Sequence, residues 1–387
     1  QTSHVAAHRD RVPAEFANDV PLAAHRKAAD YTIARTRLAM AAIATETAVL
    51  LWLTFGGALS WLDGIAAAWF AQGIARGLAL LALTVALMTL IELPFGLYRT
   101  FVIEARFGFN RMTPGLYFLD LAKSVVLAAA LGLPLAAAVL ALMAHAGEAW
   151  WLWAWAVWVA FNLFMVAAYP TWIAPLFNRF TPLEDPELRQ RVERLLARCG
   201  FKVKGLMVMD GSRRSTHGNA YFTGFGAAKR IVLFDTLLAR LDPPEVEAVL
   251  AHELGHFRLR HVAKRLLWLA ALSFALAWLL GYLARAPWFY AGLGVTAPSD
   301  AAALILFAIA LPPFTLPLAP LAAWYSRRHE FEADAYAARN ASARDLVSAL
   351  VKLYRENAST LTPDPLYSAF YDSHPPAIAR IARLREA

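Results

Sequence analysis

The sequence predicts a mainly α-helical, polytopic membrane protein that carries an α+β domain on one side of the bilayer. Three observations lead there. Of 387 residues, 59% are hydrophobic and only 17% charged, a balance too apolar for an ordinary soluble domain. Six apolar runs are each long enough to cross ~30 Å of hydrocarbon as a helix. Between the fourth and fifth runs, and again after the sixth, the chain turns charged, and short stretches in the first of these segments read as strands.

In order, residues 1–37 form a polar segment bearing Arg9, Arg11, Arg26, Lys27, Arg35 and Arg37. Runs at 38–62, 77–97, 119–144 and 150–173 make a four-span block, 38–173. A polar segment, 174–262, follows, then two more spans at 263–283 and 302–325 and a charged C-terminal segment, 326–387. Loop 98–118 carries Arg99, Arg106 and Arg111, whereas 63–76 and 145–149 carry little positive charge. The positive-inside rule therefore puts both termini, loop 98–118 and segment 174–262 on the cytoplasmic side. Trp150, Trp151 and Trp172 bracket the fourth span as an aromatic belt would. Glu46, Glu92, Asp120, Lys123 and Asn162 lie within or near the ends of spans. Such groups avoid lipid, so they line a watery cavity or, for Asp120 and Lys123, snorkel to an interface.

Several chemistries are excluded. A single cysteine, Cys199, allows neither an intrachain disulfide nor a cysteine-rich metal site, which leaves histidine and carboxylate as metal ligands. The net charge of +8 comes without a basic stripe interleaved with aromatics, so membrane orientation explains it better than nucleic acid. Gly218, Gly224 and Gly226 are not followed by the lysine of a phosphate-binding loop.

Within 174–262, residues 187–199 read as an amphipathic helix, and 201–209, 218–225 and 230–234 as strands. Next comes His252-Glu253-Leu254-Gly255-His256, an H-E-x-x-H motif. Asp242 is a plausible N-cap, Pro243 and Pro244 suit a first turn, and Glu245 completes a capping box, so the motif lies on a helix. Four residues apart on one helical face, His252 and His256 converge on one metal, with Glu253 beside them as base. After the sixth span, Glu330 and Asp334 share a face while Glu332 falls roughly opposite. Glu330 is thus the candidate third ligand. Asp334 is the candidate partner for the free nitrogen of a ligand histidine. His329 competes as a ligand but points about 100° away from Glu330. By itself the segment also fits a solvated charged helix below the membrane.

With these pieces stated, the chain resembles the CAAX prenyl protease type 1 family, integral-membrane zinc endopeptidases of the gluzincin kind and relatives of the protease HtpX. The resemblance rests on the H-E-x-x-H of 252–256, Glu330-Phe331-Glu332-Ala333-Asp334, and Glu104 with Phe107-Gly108-Phe109-Asn110. It extends to Pro170 with Ile173-Ala174-Pro175-Leu176-Phe177-Asn178, to Gly218-Asn219-Ala220-Tyr221-Phe222, and to Tyr367-Ser368 with Ser373-His374-Pro375-Pro376 and Arg380. It implies a ring of membrane helices around a water-filled chamber, one zinc ion per chain on His252, His256 and Glu330, and Glu253 as catalytic base. It further implies that His374 and Arg380 stabilise the oxyanion. The family has seven spans, so the expectation is that one lies upstream of Gln1.

The expected activity is peptide-bond hydrolysis by zinc-activated water, Glu253 moving the proton. Asn219, Ala220 and Tyr221 are the candidate substrate-binding residues, holding the peptide as an added strand. Expected partners are the bilayer and a peptide or protein substrate, with a lipidated C-terminus in the CAAX case; no nucleic acid is expected. Richness in alanine, arginine and tryptophan points to a bacterial inner membrane, where quality control of membrane proteins is an equal possibility. A transporter lined by Glu46, Glu92, Asp120 and Lys123 would leave the metal motif unexplained. A catalytically silent scaffold or chaperone would not need the complete ligand set and base.

Overall fold

The computed structural model describes residues 1–203, 205–223 and 230–386. Among them, six helices are long and apolar enough to span a bilayer: Leu22–Leu53, Ile74–Glu104, Pro114–His145, Gly147–Phe177, His261–Leu283 and Asp300–Asn340. The shortest has 23 residues, more than the ~20 a crossing requires.

The helices differ from the hydropathy runs where the backbone has its own preferences. The first run is divided: its helix ends at Leu53 and a separate helix, Ala58–Trp69, follows. Gly57 between them takes φ 75°, a conformation that ends a helix and that side-chain-bearing residues avoid. At its other end the same helix begins at Leu22, because polarity marks where lipid stops and does not stop a helix that meets no breaker. The second and fourth spans run on through widened π turns at Arg99–Glu104 and Tyr169–Ile173. In the second of these, Pro170 has no N–H to donate to the ladder. The sixth span continues through a tighter turn, Leu316–Leu318, into helix Ala319–Asn340, so the candidate third ligand rides on the same rod that crosses the membrane.

Spans two to five pack in succession, and the sixth touches the fifth, the third and the second. This closes a ring. No more than 28% of any apolar window is buried within the chain, so the helices touch along narrow seams and leave broad faces toward lipid and toward the enclosed chamber. Trp61, Leu90, Val126, Leu267 and Phe314 are among the large apolar side chains left exposed, which only a bilayer satisfies. At the ring end remote from segment 174–262, Leu53, Leu59, Leu80, Leu140 and Leu306 form a closed core.

Two of the polar groups near span ends are tied down by protein. Asp120 accepts two hydrogen bonds from Arg214, at 2.8 and 3.1 Å, and Lys123 donates to the Leu176 carbonyl at 2.8 Å. They fasten the third span to the polar segment. Asn162 donates to the Trp158 carbonyl one turn back in its own helix, and Glu46 and Glu92 stay exposed.

Segment 174–262 contains a four-stranded sheet, β1 (Phe180–Pro182), β2 (Gly205–Met209), β3 (Ala220–Thr223) and β4 (Arg230–Phe234), in the order β1-β2-β4-β3. Of the stretches read as strands at 201–209 and 218–225, residues 205–209 and 220–223 are strand here and 201–203, 218 and 219 are not, while Gly224 and Phe225 lie outside the described residues, as does Gly226 of the glycine pattern. The sequence reading missed β1, which at three residues including a proline has too little alternation to detect. One sheet face packs on helices Pro186–Arg198 and Pro243–Arg258 through Leu195, Ile231, Leu233, Leu250 and Leu254, all fully buried. The β3 strand is left at the edge.

Candidate active site

Helix Pro243–Arg258 starts as the sequence dictates. Asp242 and Glu245 form the capping box, and the Asp242 N–H donates to Glu245 Oε2 at 2.9 Å. Glu245 is also held by Ser348 at 2.6 Å and Lys352 at 2.7 Å, which anchors the start of the helix to helix Ala343–Glu356. Its buried face then carries His252 to the side where helix Ala319–Asn340 crosses. Gly255 makes that crossing close: a Cβ there would stand 3.0 Å from the Ala333 Cα and 3.1 Å from the Tyr336 Cβ. With the backbones this near, Glu330 reaches both histidines and Asp334 reaches His252.

His252 Nε2 and His256 Nε2 are 3.2 Å apart, and the Glu330 carboxylate completes a triangle of ligand groups, its Oε2 3.5 Å from the first and its Oε1 3.4 Å from the second. Ligands about 2.0–2.1 Å from a tetrahedral zinc are separated by about 3.3–3.4 Å. The triangle therefore fits such an ion, and a set of two imidazoles and one carboxylate leaves a fourth position for water or substrate.

Behind the triangle stands a second layer. His252 Nδ1 is 2.8 Å from Asp334 Oδ1, which fixes the ring so that Nε2 faces the triangle. Arg380 grips the same carboxylate with both arms of its fork, at 2.6 and 2.8 Å, and is itself buried. Its Nη1 lies 3.8 Å from Glu330. His374 Nδ1 is 2.7 Å from Glu330 Oε2, while 63% of its side chain is exposed to the cleft. Burial raises the Glu253 carboxyl above the usual carboxylate range, against the pull of His252 and His256. Burial also works against a charged His252, but its hydrogen bonds to Asp334 and Glu330 prevail and raise its pKa to about 9.

The fold thus brings His252, Glu253, His256, Glu330, Asp334, His374 and Arg380 into one site. A cleft of about 460 Å³ joins His374 and Arg380 to Gly218, Asn219 and Tyr354. Ala220 and Tyr221 follow on β3. The Asn219 carbonyl accepts from the Phe234 N–H, so Asn219 and Tyr221 turn their backbone groups toward β4, and Ala220 and Phe222 turn theirs to the free edge. The Ala220 N–H is already taken by the Asn219 side chain at 2.8 Å. That leaves the Ala220 carbonyl and the Phe222 backbone to pair with an added strand. Tyr221 lines a different cleft, with Tyr169, Asn178 and Arg214. Residues that the sequence reading passed over also appear here: His261, with Glu332 at 3.0 Å, abuts His256, and His217 stacks on Phe109 and lies 3.5 Å from Glu104. A histidine opening an apolar run and a glutamate off the metal face give no signal by spacing alone.

Comparison with known proteins agrees with this architecture. Residues 1–179 match the family described as CAAX prenyl protease N-terminal, five membrane helices, and residues 182–387 match peptidase family M48. A CAAX prenyl protease 1 homolog of Arabidopsis thaliana is 40% identical over 295 residues, covering 75% of this chain and 69% of the plant protein. CAAX prenyl protease 1 of Saccharomyces cerevisiae is 36% identical over 328 residues, covering 80% of this chain and 72% of the yeast protein. The crystal structure of S. mikatae Ste24p superposes with a TM-score of 0.93 at 30% identity, over 99% of this chain and 95% of that one. The chain belongs to the CAAX prenyl protease 1 family of M48 peptidases and is a multi-pass membrane metallopeptidase.

Proposed function

We propose that His252, His256 and Glu330 hold one zinc ion and that the site cleaves C-terminal peptides drawn into the ring, lipidated CAAX-type chains foremost. The observation that carries this reading is the convergence of the three ligand groups: His252 Nε2 and His256 Nε2 stand 3.2 Å apart, with Glu330 Oε2 3.5 Å from the first and Glu330 Oε1 3.4 Å from the second. A bound zinc supplies Lewis acidity, lowering the pKa of water toward ~7 and polarising the scissile carbonyl. Glu253, whose carboxyl burial makes more basic, takes the proton of the attacking water and returns it to the leaving amine. His374, exposed in the cleft beside Glu330, donates to the developing oxyanion. Arg380 keeps its charge near the same point and holds Asp334, which orients His252. The peptide adds to the free edge of β3 at Ala220 and Phe222, with Asn219 at the mouth of the cleft and Tyr221 keeping the strand on β4.

The substrate class follows from the names of the relatives and from the setting. A ring of helices with broad apolar faces accepts a lipid chain and admits one extended peptide. The charge distribution supports a cytoplasmic site, and the alanine- and arginine-rich composition supports a bacterial inner membrane. Purified protein should contain one zinc per chain and cleave a farnesylated CAAX peptide, with loss of cleavage in Glu253→Gln. Equal rates on the peptide without its lipid would favour general quality control of membrane proteins over lipid recognition. Absence of zinc would sink the assignment.

A further inference from the structure

The second ligand histidine has a support of its own, built from residues that no step above uses. His256 Nδ1 lies 2.9 Å from His261 Nδ1, His261 Nε2 lies 3.0 Å from Glu332 Oε2, and Glu332 Oε1 accepts from Arg328 Nε at 3.0 Å. The protons in this chain have one consistent arrangement. His256 Nε2 faces the metal triangle and must offer its lone pair, so its proton sits on Nδ1 and is donated to His261 Nδ1. His261 then carries its own proton on Nε2 and donates it to the Glu332 carboxylate. His261 is 4% exposed, which shields its ring from water, while the Glu332 carboxylate at the outer end of the chain stays partly exposed.

The backbone is bent to make this possible. In an unbroken helix His261, five residues on, would point about 140° away from His256. Arg260 instead adopts φ 56°, ψ 35°, a left-handed conformation uncommon for a side-chain-bearing residue. It ends the motif helix and starts the fifth span with His261 folded back onto His256. His329 completes the setting by stacking flat on His261, with centroids 4.0 Å apart and planes 9° from parallel.

We infer that His261 and Glu332 form a positioning relay that fixes the tautomer and ring angle of His256, as Asp334 does for His252. A reading of His261, His329 and Glu332 as a second metal site is disfavoured by the stack. Imidazole lone pairs lie in the ring plane, and two parallel, stacked planes do not direct them at one ion. The relay also gives the membrane ring a direct hold on the metal centre, since His261 is the first residue of the fifth span.

This inference rests on the proposed ligand set, and the test separates the two. Metal content of the full-length protein in detergent, zinc affinity by chelator competition, and the cobalt d–d spectrum would be measured. The wild type should hold one metal. His261→Leu should weaken zinc about 10–100-fold and shift the cobalt band, as loss of an outer partner does. His261→Asn, whose Oδ1 can replace Nδ1 as acceptor, should recover most of that loss, and Glu332→Gln should show a smaller loss in the same direction. His329→Phe, which keeps the flat ring, should bind as wild type. Wild-type affinity and an unshifted band in both His261→Leu and Glu332→Gln would overturn the relay alone. Two metals in the wild type, with one lost in His329→Phe, would replace it with a second metal site. No metal in the wild type would overturn the ligand set and the relay together.

Discussion

The Cα of Gly255 faces Ala333 so closely that a methyl group on it would meet the Ala333 Cα at 3.0 Å. The two helices that supply the candidate ligands cross at this point, and a residue inside the H-E-x-x-H motif itself sets their spacing. Gly255→Ala would gain about 0.5–1 kcal/mol of helix propensity but must push the Glu330 helix back by a few tenths of an ångström. Overpacking of this kind costs about 1–3 kcal/mol, so the clash should win. We expect a slightly lower melting temperature together with a larger loss of zinc affinity, and Gly255→Val should be worse on both counts. Unchanged zinc affinity in Gly255→Ala would show that the ligand triangle tolerates the displacement.

Glu253→Gln should keep the metal and lose turnover by about 10²–10⁴-fold, the usual contribution of a positioned general base. Because burial already disfavours its charge, the neutral isostere should melt at the same temperature or higher. A variant that lost zinc along with activity would instead make Glu253 part of the metal site.

Arg380→Ala removes a buried partner from Asp334 and leaves that carboxylate with His252 alone. Breaking a buried pair in this way costs about 3–5 kcal/mol. Zinc affinity should also fall about 10–100-fold as His252 loses its fixed orientation. Arg380→Lys should recover little, since an ammonium cannot reproduce the two-armed grip. Thermal melts and chelator competition on the two variants provide the check, and full recovery by lysine would reduce Arg380 to its charge.

Zinc uptake should be steeply pH dependent. With a pKa of about 9, His252 holds a proton at neutral pH that the metal must displace. Apparent zinc affinity should therefore rise about tenfold per pH unit from pH 7 and level off above the His252 pKa. The stability of chelator-treated protein should move the other way. A histidine raised above its ordinary pKa stabilises the fold fully below ~6.5, and the contribution fades as pH rises through the folded value. Affinities measured from pH 6.5 to 9.5 test this, and a flat profile would contradict it.

Features governed by local periodicity are legible in the chain. Covalent backbone geometry places residues four apart on one helical face, so His252 with His256, and Glu330 with Asp334, are legible as pairs. The Asp242 and Glu245 cap and the six long apolar stretches are legible for the same reason, since each is decided by near neighbours or by composition. The tertiary structure decided which pairs meet. Gly255 against Ala333 fixes the spacing of the two helices that carry the candidate ligands, Arg380 closes on Asp334, and the left-handed Arg260 turns His261 onto His256. Asp120 and Lys123 read as cavity-lining or interfacial charges, and the fold gives them partners the sequence does not show, Arg214 and the Leu176 carbonyl. Contacts between residues far apart in the chain depend on how helices pack, and single-chain spacing carries no record of that packing. The candidate ligands could thus be named from the chain, whereas the residues that touch them required the fold.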